Sequence, residues 1–373
     1  MRIVLSGGGT GGHATPLLAL TAALKHQHSR LKLYYIGSGS QLEQDIAKQA
    51  GLEYQAILSG KFRRYHRGFA ELTDIRTINM NIADSTRFIR GTRQAMRMLK
   101  HIQPDAVFVN GGYVGLPVGL AASLLRIPLV IHESDTIMGL TNRILARRAQ
   151  AIATGFPVEV YPAKIQSKLT HVGNVIADEF MRTKTAAKPM KRKPTLLIIG
   201  GSTGARHINE AAWQALPQLI TRATVIHQTG QHSIEDADQQ RHQLASAKRA
   251  HYQPFAFADT PTLAKYMRAA NVVISRAGAN SLFELAAMGC PTIIVPLANS
   301  ANNHQMHNAR YMAMHHAAHV ISESDLSSSE LAETINYLLD HDSLRKELGD
   351  NLRKLATPHA AQALAKLILK EGS

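Results

Sequence analysis

One three-part pattern occurs twice in this sequence: a short apolar run, a turn rich in glycine, and a following helix. The first copy starts at Met1 with its glycines at 7–12, and the second starts at Thr195 with its glycines at 200–204. Such a pattern forms the first half of a βαβ unit, whose helix N-terminus offers unpaired N–H groups to an anion. A turn without a ligand is the alternative, which the entropic cost of so many glycines disfavours. The repeat predicts an α/β chain with two Rossmann-like domains and parallel sheets.

The remaining apolar runs fall into two sets, separated by a polar and basic stretch at 177–194. We expect a first domain over residues 1–174 and a second over 175–351, which suits a chain of 373 residues. Apolar residues at helical spacing predict further helices at 331–339 and 352–369.

The chain is strongly basic, with 42 lysines and arginines against 27 acids and a net charge of +15. This balance favours anionic partners: nucleic acid, anionic lipid or phosphorylated substrates. A nucleic-acid-binding protein is disfavoured, because aromatic residues make up only 5% of the chain. The single cysteine, Cys290, excludes an internal disulfide and suits a reducing cytoplasm. We expect no secretory signal and no membrane span, since no apolar run is long enough.

Basic residues concentrate in the stretches 61–100 and 184–193. In the first stretch the arginines alternate with aromatic and aliphatic residues, and its helical part is amphipathic. A solvated helix face over an apolar core stripe is one interpretation. A surface that binds an anionic bilayer is the other.

The glycine turns do not fit the two common nucleotide sites. The turn at 7–12 satisfies the G-x-G-x-x-G pattern, but an NAD site also needs an acid at the tip of the second strand. The predicted second strand ends near Ile36, and no acid occurs before Glu43. No P-loop lysine follows the turns. An NAD-dependent oxidoreductase, the alternative from a different class, is therefore disfavoured.

The segment 275–285 follows a buried apolar run and predicts a helix that begins near Ala279. Ser281 and Glu284 have the spacing of a capping box, which would make them purely structural. The functional interpretation places a diphosphate at the helix N-terminus and lets Glu284 accept hydrogen bonds from ribose hydroxyls.

Six motifs, in register over nearly the whole chain, resemble the MurG family of N-acetylglucosaminyltransferases. They are Gly8-Gly9-Thr10-Gly11-Gly12-His13, Gly111-Gly112-Tyr113-Val114, His132-Glu133-Ser134-Asp135, Gly200-Gly201-Ser202 with Gly204-Ala205-Arg206, Ser275-Arg276-Ala277-Gly278-Ala279 with Glu284, and His304-Gln305 with Asn308-Ala309. The resemblance implies a GT-B fold: two Rossmann-like domains facing a deep cleft, with a C-terminal helix at about 352–373 packed back on the first domain.

The resemblance also implies the reaction. GlcNAc would pass from UDP-GlcNAc to the 4-hydroxyl of MurNAc in undecaprenyl-diphospho-MurNAc-pentapeptide, converting lipid I to lipid II with inversion. The resemblance implies a reaction that needs no metal, and no cofactor is expected. The nearest alternatives are other GT-B enzymes, such as a diacylglycerol glycosyltransferase or a UDP-GlcNAc epimerase.

The family's motifs assign roles to residues of this chain. The residues implied to contact the donor are Thr10, Gly11, Gly12, Asp135, Ser202, Arg276, Ala279, Glu284 and Gln305. Tyr113 belongs to the acceptor side. His13 is implied as the general base, because an unperturbed histidine titrates near neutral pH, with Asp135 as the other candidate. An orienting role in the turn is the alternative for His13.

One departure from the family pattern concerns the donor. The family's Gly-Asn-Pro-Val-Arg is Gly173-Asn174-Val175-Ile176-Ala177 here, so the arginine expected beside the nucleotide is absent.

The basic stretch gains a role from the resemblance, because lipid I carries a diphosphate and lies in an anionic leaflet. We expect a peripheral protein at the cytoplasmic face of the cell membrane. The residues expected to dock the first domain there are Phe62, Arg63, Arg64, Tyr65, Arg67 and Phe69.

Overall fold

The computed structural model describes residues 1–7, 16–60, 75–181, 193–200 and 204–373. Within that part the chain forms two compact units, each with its own sheet and core. The first unit comprises Met1–Ser134, Met138–Val175 and His359–Ser373, and the second comprises Asp135–Ile137 and Ile176–Pro358. Within the same part, every helix falls short of the length or the hydropathy that a bilayer span requires.

The first unit contains seven strands in the order β3-β2-β1-β4-β5-β6-β7, and every neighbouring pair is parallel. The strands are β1 (Arg2–Ser6), β2 (Lys32–Gly37), β3 (Glu53–Ala56), β4 (Ala106–Val109), β5 (Leu129–Glu133), β6 (Ala151–Thr154) and β7 (Leu169–His171). The helices before the chain first leaves this unit are α1 (Pro16–Gln27), α2 (Gln41–Gln49), α3 (Ile75–Ile102) and α4 (Gly112–Leu124). The helices α5 (Leu140–Leu145) and α6 (Ala163–Gln166) follow on its return.

The second unit contains six parallel strands in the order β10-β9-β8-β11-β12-β13. The strands are β8 (Thr195–Ile199), β9 (Thr224–Gln228), β10 (Tyr252–Phe255), β11 (Val272–Ser275), β12 (Thr292–Ile294) and β13 (His319–Val320). The helices are α7 (Asp178–Met181), α8 (Arg206–Arg222), α9 (Ile234–Gln243), α10 (Thr260–Ala269), α11 (Ala279–Met288), α12 (His304–Met314), α13 (Ser328–Asp340) and α14 (Asp342–Lys354). The predicted fold class, two Rossmann-like domains with parallel sheets, is confirmed.

The C-terminal region differs from the prediction of one helix starting near residue 352. Helix α14 ends at Lys354, and a separate helix, α15 (Ala360–Glu371), follows it. Pro358 lies in the break, where its missing N–H and its effect on the preceding residue interrupt the helix. The expected continuous helix over 352–369 is therefore wrong.

Helix α15 packs into the core of the first unit, although it lies at the far end of the sequence. Leu364 and Ile368 belong to the same buried cluster as Leu20 and Leu24 of α1. The Gln27 side-chain amide also donates to the carbonyl oxygen of Gln362 at 2.8 Å. The last helix is thus part of the first unit.

We expect Leu364→Ala to lower the free energy of unfolding by about 2–4 kcal/mol, the usual range for truncating a buried leucine. Leu364 is only 1% exposed, so the change leaves a cavity. The matched variant Lys366→Ala, at an exposed position of the same helix, should change stability by less than about 0.5 kcal/mol. Urea unfolding of the full chain measures both, and equal midpoints for the two variants would contradict the packing of α15.

Candidate active site

The carboxyl ends of the parallel strands gather the predicted site residues of the second unit, as expected for such sheets. Helix α8 is the next helix after β8, and helix α11 is the next after β11. Gly204, just before α8, has φ of +80°, and a Cβ there would lie 2.5 Å from the Thr229 carbonyl oxygen. Only glycine fits this position, because the adjacent loop approaches its backbone so closely.

Helix α11 begins at Ala279, as the sequence predicts, and its N-cap is Gly278. As a glycine, this N-cap residue has no side chain with which to cap the helix. Ser281 is the third helical residue rather than the N-cap, so the capping-box interpretation of Ser281 and Glu284 is wrong. Because the helix starts at Ala279, Ser281 does not cap the N–H groups in the first turn of α11.

Glu284 lies in the second turn of α11 and is largely buried. Burial raises the pKa of its carboxyl to about 8, because the charged form loses its hydration. Within the described residues no side chain or backbone group forms a hydrogen bond with this carboxyl. A mostly buried carboxyl of this kind can accept hydrogen bonds from ligand hydroxyls, and in its protonated form it can also donate one to them.

Arg276 forms an ion pair with Glu323, a residue that the sequence analysis did not identify. The guanidinium Nη2 lies 2.6 Å from Glu323 Oε1, and Nη1 donates to the Val295 carbonyl oxygen at 3.2 Å. Glu323 Oε1 also lies 2.9 Å from His207 Nδ1, and Oε2 accepts from the Ala298 N–H at 3.0 Å. We call Arg276, His207, Ala298 and Glu323 the Glu323 network.

The charge of Glu323 follows from this network. Burial raises the pKa of its carboxyl, but the Ala298 N–H, His207 and Arg276 together outweigh burial and lower the pKa below its usual value. Glu323 is therefore ionised at neutral pH and balances the charge of Arg276.

Gln305 is near the N-terminus of α12 and contacts the loop after β12. Its Oε1 accepts from the Leu297 N–H at 3.0 Å, and its own N–H donates to Ser300 Oγ at 3.2 Å. The bond to Leu297 orients the side-chain amide, and its NH₂ is the group that can donate to a ligand.

Asn308 joins Asp135 to the loop after β11. Its amide donates to Asp135 Oδ1 at 2.8 Å and to the Ala277 carbonyl oxygen at 3.0 Å. Its side-chain oxygen accepts from the N–H and the hydroxyl of Thr136, at 3.0 and 2.8 Å. Asn308 is fully buried, which explains why all of its side-chain groups are paired. Asp135 consequently belongs to the second unit, although the first unit surrounds it in the sequence.

In the first unit, Tyr113 is the second residue of α4, at the carboxyl edge of the sheet. The preceding turn places Gly111 at φ of +60° and Gly112 at +74°, a conformation that favours glycine. Tyr113 interacts electrostatically with Tyr54. The Tyr54 hydroxyl accepts from the Gly39 N–H at 2.7 Å and donates to Glu43 Oε2 at 3.3 Å. Burial is the main reason that the pKa of Tyr54 rises to about 12.

His132 and Glu133 are the last two residues of β5 and bind neighbouring loops. His132 Nε2 lies 3.0 Å from the Gly173 carbonyl oxygen, so this nitrogen carries the proton and donates. Glu133 Oε2 accepts from the Gly139 N–H at 2.8 Å and from the Asn142 amide at 2.9 Å. Both side chains are committed to structure.

The predicted residues Thr10, Gly11, Gly12, His13 and Ser202 lie outside the described residues. Gly7, the residue that follows β1, is held in place because the Tyr35 hydroxyl donates to its carbonyl oxygen. Within the described ranges, no group of three or more His, Cys, Asp or Glu residues is arranged to hold a metal ion.

Both halves of the chain match one family. The N-terminal domain pattern of glycosyltransferase family 28 matches residues 3–154, and the C-terminal domain pattern matches residues 195–364. A relative from Listeria monocytogenes, named UDP-N-acetylglucosamine--N-acetylmuramyl-(pentapeptide) pyrophosphoryl-undecaprenol N-acetylglucosamine transferase, is 34% identical over 99% of both chains. A relative of the same name from Bacillus licheniformis is 34% identical over 100% of this chain and 98% of its own.

The chain belongs to glycosyltransferase family 28, among the MurG transferases. The crystal structure of Acinetobacter baumannii MurG superposes with a TM-score of 0.74 at 28% identity, over 99% of each chain. A UDP-GlcNAc 2-epimerase from Neisseria meningitidis, bound to UDP-GlcNAc, has a TM-score of 0.68 at 13% identity over 99% of this chain and 100% of its own. The second likeness shows the GT-B fold alone. The resemblance drawn from the six motifs is confirmed.

The structure shows contacts at this edge of the sheet that the sequence did not predict. Neither Glu323 nor His207 was identified from the sequence, and Asn308 was given no role. Glu323 lies three residues after β13, a strand of only two residues that no apolar run announces. Recognition of that strand would have been the signal, since an acid just past a parallel strand lies at the ligand edge.

We expect Glu284→Gln to change the pH dependence of stability. Between about pH 4.5 and 8 the folded protein keeps a proton on Glu284 that the unfolded chain has lost, so stability falls as pH rises through this window. The variant lacks this loss of about 1.4 kcal/mol per pH unit. It should therefore be more stable than wild type at pH 8, and the difference should vanish below about pH 4.5.

Thermal unfolding at several pH values measures this difference. The control Glu333→Gln changes an exposed carboxyl of α13 and should follow the wild-type curve. Parallel curves for wild type and Glu284→Gln would show that the carboxyl is ionised at neutral pH.

Proposed function

We propose that this protein transfers GlcNAc from UDP-GlcNAc to the 4-hydroxyl of MurNAc in lipid I, with inversion, to form lipid II. The observation that carries the proposal is the 34% identity over 99% of the chain to a transferase named for that reaction. The site geometry supports it, because helix N-termini, a largely buried carboxyl and a side-chain amide collect at one edge of the second sheet.

The donor binds to the second unit in this proposal. The diphosphate lies at the N-termini of α8 and α11, where unpaired N–H groups and the helix dipole favour an anion. Ser202, Arg276 and Ala279 belong to this part of the site. Glu284 bonds the ribose hydroxyls, and the amide NH₂ of Gln305 donates to a GlcNAc hydroxyl. The N–H group of Leu297 supports this orientation, because it occupies the side-chain oxygen of Gln305.

The reaction is a direct displacement at the anomeric carbon. The acceptor hydroxyl loses its proton to a general base as its oxygen bonds to that carbon, and UDP leaves with the electrons of the broken bond. His13 is the proposed base, with Asp135 as the other candidate, and Thr10, Gly11 and Gly12 contact the donor. Fixed dipoles at the helix N-termini stabilise the charge that develops on the diphosphate.

Asp135 has a defined position in the second unit. The Asn308 amide donates to its Oδ1 at 2.8 Å. This bond orients the Asp135 carboxylate beside the loop that leads into α11. We therefore propose Asp135 as a donor contact as well as a candidate base.

The acceptor belongs to the first unit in this proposal. Tyr113 lies at the carboxyl edge of that sheet, at the start of α4. Its phenol combines an apolar ring with a hydroxyl, which suits contact with a sugar and a neighbouring diphosphate.

The first unit also carries the proposed contact with the anionic cytoplasmic face of the cell membrane. Exposed basic side chains recur along α3 at helical spacing: Arg90, Arg93, Arg97 and Lys100. Ile89 of the same helix is 50% exposed, and Leu58, whose backbone lies against Gly91 of the helix, is 43% exposed. Exposed aliphatic side chains beside cations suit a lipid surface better than nucleic acid, which is read with cations and aromatic rings. The expected docking residues within 61–74 lie outside the described residues.

The reaction is tested with radiolabelled UDP-GlcNAc and three acceptor conditions: a lipid I analogue, diacylglycerol, and no acceptor. We expect label to reach only the lipid I analogue. His13→Ala should lower kcat by about 10²–10⁴-fold, the usual contribution of a general base. The control His28→Ala changes an exposed histidine and should keep wild-type turnover.

Two outcomes of that assay would exclude the proposed reaction: transfer to diacylglycerol alone, or conversion of UDP-GlcNAc to an epimer without acceptor. Full turnover by His13→Ala combined with a large loss in Asp135→Asn would move the base to Asp135 and leave the reaction unchanged.

The membrane contact is tested by co-sedimentation with anionic vesicles. Replacing Arg90, Arg93 and Arg97 with Glu should weaken binding roughly a hundredfold, since each basic residue near an anionic surface contributes about 1 kcal/mol. The control replaces Arg241, Lys248 and Lys265 with Glu, which makes the same charge change at exposed positions of the second unit. Equal loss in both triple variants would mean that net charge, and not α3, determines binding.

A further inference from the structure

Glu323 connects the start of helix α8 with three loops, and these four segments follow four adjacent strands of the second sheet. Its carboxylate contacts His207 after β8, Arg276 after β11 and Ala298 after β12, and Glu323 itself follows β13. These four strands are neighbours in the order β8-β11-β12-β13. One carboxylate therefore fixes the relative positions of the loops at the ligand edge of the sheet.

The Glu323–Arg276 pair is itself mostly removed from water. Side-chain exposure is 7% for Glu323 and 12% for Arg276. Two such charges remain stable only because each has the other and further hydrogen bonds: Val295 for the arginine, and Ala298 and His207 for the carboxylate. The loss of Glu323 would leave Arg276 with one neutral acceptor.

The Glu323 network also includes the loop after β12, to which the Gln305 side chain is bonded. The N–H groups of Leu297 and Ala298 are consecutive, and each has a side-chain acceptor at 3.0 Å: Gln305 for Leu297 and Glu323 for Ala298. Movement of Ala298 would therefore shift the N–H that orients the Gln305 amide.

We propose that Glu323 is a positioning residue for the donor: it holds Arg276, His207 and the 297–298 backbone where they engage UDP-GlcNAc. It acts through these groups and does not contact the sugar nucleotide. The inference rests on the donor site proposed above for the second unit. It gives Arg276 an orientation that Glu323 sets, and it gives Gln305 a fixed direction for its amide.

A carboxylate beside an anion site has a second possible effect, since it competes with the diphosphate for the same cations. The two effects have opposite signs. Positioning predicts weaker donor binding when the charge of Glu323 is removed, whereas competition predicts tighter binding. The geometry favours positioning, because the largely buried Arg276 guanidinium is shared between Glu323 and a backbone carbonyl.

Glu323→Gln is the test variant, because an amide oxygen can still accept from the Ala298 N–H while the charge is lost. We expect KM for UDP-GlcNAc, and Kd for UDP by calorimetry, to rise roughly tenfold, the effect of losing about one charge-assisted hydrogen bond. KM for the lipid I analogue should stay at the wild-type value. The control Asp340→Asn breaks an exposed pair with Arg222 in the same unit and should change neither constant.

A double-mutant cycle with Arg276→Gln separates positioning from general destabilisation. If Glu323 acts through Arg276, adding Glu323→Gln to Arg276→Gln should raise Kd for UDP by less than twofold. Thermal unfolding of each variant measures its change in stability. If the role of Glu323 were purely structural, that change in stability would account for the loss of UDP binding.

Three results would overturn the inference: unchanged or lower Kd for UDP in Glu323→Gln, equal losses in donor and acceptor KM, or full additivity in the cycle. Failure of the proposed function would show itself differently, as wild-type protein that binds UDP but does not transfer to the lipid I analogue. The calorimetric arm tests the role of Glu323 in either case.

Discussion

Parallel pairing of the strands is the constraint on which both units depend. Parallel neighbours need a crossover between them, so each strand ends at the same edge of the sheet and a loop or helix begins there. Both sheets are parallel throughout the described residues. Polar residues from distant parts of the sequence therefore meet at one edge, as Arg276 and Glu323 do across 47 positions. The same geometry directs the N-termini of α8 and α11 toward that edge.

The fold was largely predictable because buried parallel strands are apolar on both faces and appear in the sequence as short continuous runs. The glycine turns after β1 and β8 then located the two βα units. The prediction of secondary structure failed at two places: a strand that is too short to show a pattern, and a break within an apolar stretch. Strand β13 has two residues, too few for a pattern, and the break between α14 and α15 contains Pro358, which the apolar spacing of 352–369 concealed.

The candidate site was predictable only as far as local sequence allows. The segment from Ser281 to Glu284 has the spacing of a capping box as well as of a ligand site, and the observed helix start at Ala279 excludes the capping box. The pairing of Arg276 with Glu323 is a contact between distant loops, so no local pattern reports it. The motif at 304–309 located Asn308, but its bonds to Asp135 and Thr136 arise because residues 135–137 fold with the second unit.

In the motif at 173–177, the residues that this chain shares with the family and the arginine that it lacks have different roles. Gly173 has φ of +89° and its carbonyl oxygen accepts from His132, while the Asn174 amide donates to the Ser134 carbonyl oxygen at 2.9 Å. These bonds lie where the chain passes between units, after residues 134 and 175. The part of the family pattern that this chain keeps is thus the part that fixes the backbone at the crossing points.

Ala177 occupies the position at which the family pattern has an arginine. Its carbonyl oxygen accepts from the N–H of Phe180, in the short helix α7, at 3.1 Å. That bond uses only the backbone, so the fold at this point does not depend on the side chain. In contrast, Arg276 is bonded on both sides, by Val295 and Glu323. A cation held by two partners keeps its position without a ligand. This is why we propose Arg276 as the cation of the donor site in a chain that has alanine at position 177.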